Sequence, residues 1–338
     1  MKILRPGVLL KASISALLLA DVCRRVQWQE MSAAIRAIDL GWLALYLVIG
    51  CVGLVVSAAK WHLLARCLGV RASLPQLLSL YMVGYLFNQV LPTNVGGDAI
   101  RAYELGKSSG RTQPPAIASV FMERVTGFAV LVVLVLAGVA FDGRAVRDPA
   151  VVIGVVAAIG AYAALVTLVL LPSLFELLVR RVPASVARRL VKGIREFQHA
   201  MHGFRREPAA LLGALAYSVL FYAVTIVTVY VGCLAFDVRV SVFALTVAVP
   251  VVLTVSAVPI SLGGFGLQEW AYAQGLGAVG VPTAVGLGLA LLARARALLF
   301  GLIGAVSYPL LTRSAGSREA AAPAAAARPA SPQTPVAR

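Results

Sequence analysis

The chain has 338 residues, of which 60% are hydrophobic and only 13% are charged, and its formal net charge is +16. Soluble domains are nearer half apolar and a quarter charged, so this composition excludes an ordinary soluble protein and indicates a membrane protein. Apolar runs of roughly 20 residues recur without strand-like alternation, which predicts helical spans. The basic residues cluster between these runs, which points to anionic lipid headgroups and not to nucleic acid.

The first half of the chain contains four apolar segments. We interpret the first, Val8 to Ala20, as a retained span, because no small-residue cleavage site follows it. The second runs from Leu40 to Ala59, and Trp61 is expected at the membrane interface. Leu74 to Leu91 then leads into a polar stretch, and a further span is predicted from Ala116 to Phe141.

The second half of the chain contains four more apolar segments, at 150–171, 209–236, 241–258 and 283–311. The basic connection at 173–208 is either an amphipathic helix on the inner membrane surface or a solvated loop. Residues 314–338 are rich in Ala and Pro, and we expect them to form a disordered cytoplasmic tail.

Two similar stretches interrupt the apolar pattern. The first contains Pro92 and the pair Gly96-Gly97, and the second contains Pro259 and Gly263-Gly264 at the same mutual spacing. Proline removes a backbone donor and paired glycines allow a sharp turn, so a helix is expected to break at both places. Broken segments at matching places in two halves predict an internal repeat, at about 40–141 and 209–311, with a binding site between the halves.

The distribution of basic connections predicts that both termini are cytoplasmic, in the inner membrane of a bacterial cell. Leu74 to Arg111 must then dip into the membrane and return to the same side, which is allowed when protein or a water-filled cavity covers the backbone. Ser241 to Glu269 either dips in from the opposite face or belongs to full spans. The predicted fold is an all-α polytopic membrane domain (residues 1–313) with about six full spans plus two re-entrant or broken helical segments, arranged as an inverted repeat.

Charged residues inside the apolar segments mark the candidate site. A charge at the bilayer centre costs at least about 3 kcal/mol, so each should face a cavity or a partner. Arginines together with the helix N-termini after the two breaks would bind an anionic group such as a lipid phosphate. The predicted substrate-binding residues are Asn88, Asn94, Gly96, Gly97, Asp98, Arg101, Glu123, Arg124, Ser261, Gly263, Gly264, Glu269, Arg294 and Arg296.

A structural alternative is that Glu123 and Asp98 pair with Arg124 and Arg101 to hold the fold, and both interpretations can be true together. His199 and His202 share a helix face, but neither a carboxylate nor a cysteine joins them at the spacing of metal ligands. No nucleotide loop and no nucleophile with its base are recognisable. We therefore expect no metal, no cofactor and no enzymatic activity.

An ordered set of short motifs resembles the transmembrane region of the lysylphosphatidylglycerol synthase family, a flippase-like membrane domain. The resemblance covers roughly Leu40 to Leu311. Lys60 departs from the family pattern, in which arginine is usual. The matching residues are Trp61-His-Leu-Leu64, Gly84, Asn88, Leu91-Pro92, Gly96-Gly97-Asp98, Arg101, Ser119-Val120, Glu123-Arg124, Gly127, the run Pro259 to Gly266, and Glu269.

The resemblance implies lipid translocation, of a modified or polyprenyl-linked lipid, and the arginines of the candidate site predict an anionic headgroup. The soluble aminoacyl-transferase domain of the family is not present after Arg313, which argues against lysyl transfer by this chain. The alternative function is a non-transporting accessory subunit of a lipid-modifying or glycosyltransferase complex, with 173–208 as its docking surface. The expected partners are membrane lipids with an anionic headgroup. A lipid-modifying enzyme and a second copy of the chain remain open as further partners.

Overall fold

The computed structural model describes the backbone of residues 6–91, 96–108, 113–141, 149–170 and 184–326. These ranges contain twelve α-helices and no β-strand, so the prediction of an all-α protein is confirmed. In chain order the helices are α1 (Pro6–Arg25), α2 (Trp28–Arg36), α3 (Leu40–Cys67), α4 (Leu74–Val90), α5 (Gly96–Ser108), α6 (Gln113–Phe141), α7 (Pro149–Leu170), α8 (Ala184–Gly203), α9 (Pro208–Ala235), α10 (Val242–Ser256), α11 (Leu267–Gly277) and α12 (Thr283–Ala326).

Four of the described helices are long and apolar enough to cross a membrane, at Leu40–Cys67, Gln113–Gly138, Pro208–Ala235 and Thr283–Leu310. They contain 26 to 28 residues each. At a rise of 1.5 Å per residue this is about 40 Å, more than a hydrocarbon core of about 30 Å requires. The chain is therefore a multi-pass membrane protein. The spans expected within α1 and α7 stay predictions.

The span predicted from Leu40 to Ala59 is longer in the structure. Helix α3 continues past Ala59 to Cys67, because Leu63, Leu64 and Ala65 extend its apolar face. The expectation that Trp61 lies at the membrane interface is wrong. Its side chain is completely buried, and its indole Nε1 donates to Ser119 Oγ of α6 at 3.0 Å.

Both helix breaks occur where proline and glycine predict them. Helix α4 ends at Val90 and α5 begins at Gly96, while Pro92 and Asn94 lie outside the described residues. Helix α10 ends at Ser256, and α11 begins at Leu267. Between them the backbone has positive φ at three glycines, which only glycine adopts without strain: Gly263 (58°), Gly264 (75°) and Gly266 (83°).

The broken helices of each half pack against helices of the other half. Helix α4 of the first half packs along α12 of the second, α10 of the second packs against α6 of the first, and α3 packs along α9. A Cβ atom added at Gly304 of α12 would lie 2.5 Å from Met82 Cβ of α4, so small residues permit this close approach. The reciprocal packing is what a two-fold relation between the halves produces. The direction of each half in the membrane stays a prediction.

The basic connection contains a helix. Residues 171–183 lie outside the described ranges, but Ala184–Gly203 forms α8. Phe197 and Met201 are buried beside Leu64 of α3 and Ala118 of α6. The apolar side of the second half of α8 thus packs against the protein. This differs from the expected amphipathic helix, whose apolar side would face the lipid.

The final helix extends further than the sequence suggests. Helix α12 continues to Ala326, into the segment for which we expect disorder, and residues 327–338 lie outside the described ranges. Alanine has the highest helix propensity of all residues, which favours this continuation over an irregular tail.

Candidate functional site

Four predicted site residues form one charged network after the first break, which we call the first cluster. Asp98 and Arg101 lie on α5, and Glu123 and Arg124 lie on α6. Arg124 donates to both carboxylate oxygens of Asp98, with its Nε 2.7 Å from Oδ2 and its Nη2 2.8 Å from Oδ1. Arg101 Nη1 lies 2.8 Å from Glu123 Oε2, and Arg101 Nη2 lies 3.1 Å from Asp98 Oδ1. The network therefore joins the short helix α5 to the following span.

The first cluster also contains three residues that the site prediction left out. The phenol of Tyr81 donates to Glu123 Oε1 at 2.5 Å, and the buried ammonium of Lys60 donates to the main-chain oxygen of Glu123 at 2.7 Å. The guanidinium of Arg101 lies 4.3 Å from the ring centre of Tyr81 and 4.8 Å from that of Trp61. Lys60 and Tyr81 were visible in the sequence as polar groups within or beside apolar runs.

Burial separates the roles of the two arginines in the first cluster. The side chain of Arg101 is only 1% exposed, whereas that of Arg124 is 55% exposed. A ligand can therefore reach Arg124 without disturbing the buried contact between Arg101 and Glu123. Arg124 is the outer end of the cluster, and Arg101 is its structural centre.

Arg294 and Glu269 form a second buried ion pair, the second cluster. Arg294 Nε donates to Glu269 Oε1, and Arg294 Nη2 donates to the main-chain oxygen of Gly264 at 2.8 Å. The guanidinium also stacks 3.9 Å from the ring centre of Phe265. Glu269 and Arg294 are 2% and 7% exposed, so this pair is almost completely removed from solvent.

The two breaks meet at Arg294. Its Nη1 donates to Gln89 Oε1 at 3.2 Å, and Gln89 is in the last turn of α4, directly before the first break. A Cβ atom at Gly263 would lie 3.4 Å from the main-chain oxygen of Leu91, so the second break touches the first. Gln89 is a fourth residue that the site prediction missed, although it neighbours Asn88 in the sequence. The two halves thus contact each other at one arginine, and a binding site between them stays a prediction.

Side chains already occupy the helix N-termini that we expected to bind a phosphate. Asn88 Oδ1 accepts from the backbone N–H of Gly97 at 2.8 Å, at the start of α5. Glu269 Oε2 accepts from the backbone N–H of Gly266 at 2.7 Å, at the start of α11. Both side chains thus satisfy donors that a helix start leaves unpaired. Asn88 and Glu269 therefore serve as caps in this conformation, and these N–H groups are not free.

The remaining predicted residues have different environments. Gly96 faces Leu91, whose Cδ1 would lie 2.4 Å from an added Cβ, and Asn94 lies outside the described residues. Ser261 is 2% exposed, and among the described residues its hydroxyl has no hydrogen-bond partner. Arg296 is half-buried on α12 and lies over the ring of Tyr46, 4.9 Å from its centre.

Helix α1 covers the second break. Ser15 Oγ accepts from the backbone N–H of Leu262 at 2.9 Å. A Cβ atom at Gly266 would come within 2.5 Å of the main-chain oxygen of Ser15, so α1 touches the broken backbone directly. The second cluster is closed by this contact, while the first is open at Arg124. The two clusters therefore differ in access although they follow equivalent breaks.

Two open grooves lie at the far end of α3. Their volumes are about 640 and 520 Å³, and His62 and Arg66 line both. None of the predicted substrate-binding residues lines either groove. Within the described ranges, no three His, Cys, Asp or Glu side chains come together in a way that could hold a metal ion.

Comparison with known proteins places this architecture in a family. The chain matches the family described as "Lysylphosphatidylglycerol synthase TM region" over residues 8–305. It is similar to a UPF0104 membrane protein of Methanothermobacter thermautotrophicus, with 23% identity covering 71% of this chain and 76% of that protein. A UPF0104 membrane protein of Methanocaldococcus jannaschii is 22% identical, over 71% of this chain and 75% of its own length. No solved structure matches the chain. The chain belongs to the lysylphosphatidylglycerol synthase TM region family.

Proposed function

We propose that the protein moves a lipid with an anionic headgroup between the two leaflets of the membrane, without changing the lipid chemically. The observation that carries this proposal is the meeting of two broken helices at Arg294, where Gln89 from the first break and Gly264 from the second bind one guanidinium. Broken helices that meet between two repeats are the typical binding arrangement of secondary transporters. Membership of a family named for a lipid synthase supports a lipid as the substrate.

The first cluster has a net positive charge that can attract an anionic headgroup. Lys60, Arg101 and Arg124 carry three positive charges there, and Asp98 and Glu123 carry two negative charges. Arg124 is the most exposed member, so an anionic headgroup would meet it first. An excess of positive charge in a membrane interior is costly unless an anion or water compensates it. The excess thus favours an anionic headgroup over a neutral one.

Lipid movement can be tested in vesicles that contain the purified protein. The probe is phosphatidylglycerol labelled with a fluorophore on its acyl chain, and dithionite added outside bleaches only the outer leaflet. Vesicles with wild-type protein are expected to lose nearly all fluorescence, while protein-free vesicles lose about half. Mass spectrometry of the extracted lipid is expected to find its mass unchanged. If protein-containing vesicles bleach like protein-free ones, with or without an ion gradient, the proposal is wrong.

A substitution of Arg124 tests whether lipid movement depends on the first cluster. Arg124→Ala is expected to lower the rate at which the labelled lipid moves between leaflets by about tenfold. One hydrogen bond from a charged group contributes about 1.5 kcal/mol or more. Its partner Asp98 stays paired with Arg101, so the fold should persist. Arg36→Ala is the matched control, because Arg36 is an exposed arginine at the end of α2, outside both clusters. Equal rates for both variants would remove Arg124 from the path.

A further inference from the structure

We propose that Arg296, which lies against Gly50 and Tyr46 of α3, holds the phosphate of the lipid, and that the substrate headgroup is a phosphodiester with one negative charge. This inference deepens the proposed function and rests on it. The partners of the charged residues within the membrane provide the argument.

Four of the five cations within or beside the two clusters already have a partner in the protein. Arg101 and Arg124 pair with carboxylates of the first cluster, and Arg294 pairs with Glu269. Lys60 donates to a main-chain oxygen. Among the described residues, Arg296 contacts neither a carboxylate nor a hydrogen-bond acceptor. Within the described part of the chain, its contacts are therefore with an aromatic ring and the backbone of α3, and not with a counter-charge.

The position of Arg296 makes this lack of a partner costly. The candidate span runs from Thr283 to Leu310, and Arg296 is at its middle. At 1.5 Å per residue it lies about 20 Å from either end, farther than an arginine side chain can reach to bring its charge into the interface. A charge held at this depth needs an anion or a water-filled cavity. A transported anionic headgroup is such a partner.

The side chain of Arg296 packs against α3. The side chain lies across Gly50, where an added Cβ atom would come within 2.6 Å of its Cδ and 2.9 Å of its Nη1. The ring of Tyr46 lies 4.9 Å from the guanidinium carbon and supports the cation from one side. Gly50 and Tyr46 are in the first half and Arg296 is in the second, so Arg296 lies between the two halves. Phenols and a guanidinium are suitable donors for phosphate oxygens.

The charge at this position selects among anionic lipids. One guanidinium balances one negative charge, which a phosphodiester carries. A polyprenyl diphosphate carries more negative charge and would leave the surplus uncompensated at low dielectric. One arginine therefore favours a lipid with a phosphodiester, whether its tail is acyl or polyprenyl, over a diphosphate-linked lipid. A free phosphate ion shares the same recognition chemistry, and the experiment must distinguish these two sources.

Binding can be measured by native mass spectrometry of the full-length protein in detergent. The probes are phosphatidylglycerol, diacylglycerol with the same acyl chains, and inorganic phosphate. Wild type is expected to prefer phosphatidylglycerol to diacylglycerol by about tenfold or more, and Arg296→Gln is expected to abolish this preference. Arg296→Lys, which keeps the charge, should retain part of it, and Arg36→Gln should retain all of it. Phosphate bound by wild type without phosphatidylglycerol would overturn the assignment to a lipid.

A second measurement needs no substitution of Arg296, in case Arg296→Gln does not fold. Phosphatidylglycerol with a photoreactive headgroup is expected to label wild-type protein on α3 and α12, near Gly50 and Arg296. Labelling confined to other helices would overturn the inference.

The vesicle assay separates this inference from the proposed function. If Arg296→Gln moves lipid as fast as wild type, the inference fails while transport stands. If wild type binds phosphatidylglycerol through Arg296 but moves none, transport fails while the binding site stands.

Discussion

Replacing Arg294 with Met is expected to destabilise the protein by about 3–5 kcal/mol, the usual cost of removing one partner from a buried ion pair. The substitution leaves the carboxylate of Glu269, which is 2% exposed, without a cation. It also removes the donors to Gly264 and Gln89. A chain of this size shifts its melting temperature by about 2 °C per kcal/mol, so we expect a decrease of about 6–10 °C. Thermal unfolding in detergent, followed by tryptophan fluorescence, measures it.

A second substitution tests whether the buried charge is the cause. Glu269→Gln removes the negative charge but keeps an oxygen that can accept from the Gly266 N–H. Combined with Arg294→Met, it should therefore restore part of the lost stability. The double variant is expected to be more stable, by about 1–3 kcal/mol, than the sum of the two single effects predicts. If the two effects simply add, the pair is not coupled and the reasoning is refuted. Arg36→Met, an exposed change on α2, controls for the loss of any arginine.

Two further substitutions test the contacts around the first break, both by thermal unfolding. Gly97→Ala is expected to cost about 1–3 kcal/mol, because its Cβ would lie 2.0 Å from the main-chain oxygen of Gly84. Gly277→Ala, where no atom lies within 4 Å of the added Cβ, should show no such loss, and equal losses would contradict the explanation. Tyr81→Phe is expected to cost about 1.5–3 kcal/mol, since Glu123 loses the hydrogen bond from the phenol. A melting temperature equal to that of wild type would show that another donor replaces it.

The breaks and the charged positions could be predicted because their signals are local. Proline and glycine act on the backbone at their own positions, as the positive φ angles of Gly263 and Gly266 illustrate. An arginine within an apolar run, such as Arg294, must find a partner regardless of the rest of the fold. These properties depend on residue type and immediate neighbours, which a sequence contains directly.

The identities of the partners could not be predicted, because they depend on how separate helices pack. Arg294 contacts Gln89, which is 205 positions away. Helical spacing relates residues only three or four positions apart, so no such pattern indicates this contact. Trp61 illustrates the opposite error. An aromatic residue near the end of an apolar run can be interfacial or buried, and only the packing of α3 against α6 decides that it is buried here.

The two clusters have opposite arrangements of charge. In the first, the buried arginine is on the short helix α5 and its carboxylate partner Glu123 is on the next span, whereas in the second the carboxylate Glu269 is on the short helix and Arg294 is on the span. Either way, one buried ion pair joins each short helix to the span that follows it. The pairs α5–α6 and α11–α12 should therefore move as units. The polar contact between the two breaks is weaker than these ion pairs, since Arg294 donates there to the neutral amide of Gln89 on α4.

This difference in strength predicts where the protein opens. Gln89→Ala removes the hydrogen bond between Gln89 and Arg294 but leaves both ion pairs intact. We expect a loss of stability of about 1.5–3 kcal/mol, because the donor Arg294 is charged. Lipid movement in vesicles should become faster, since the contact that holds the two breaks together in this conformation is weakened. Slower movement with unchanged stability would mean that Gln89 binds the lipid and does not restrain the breaks.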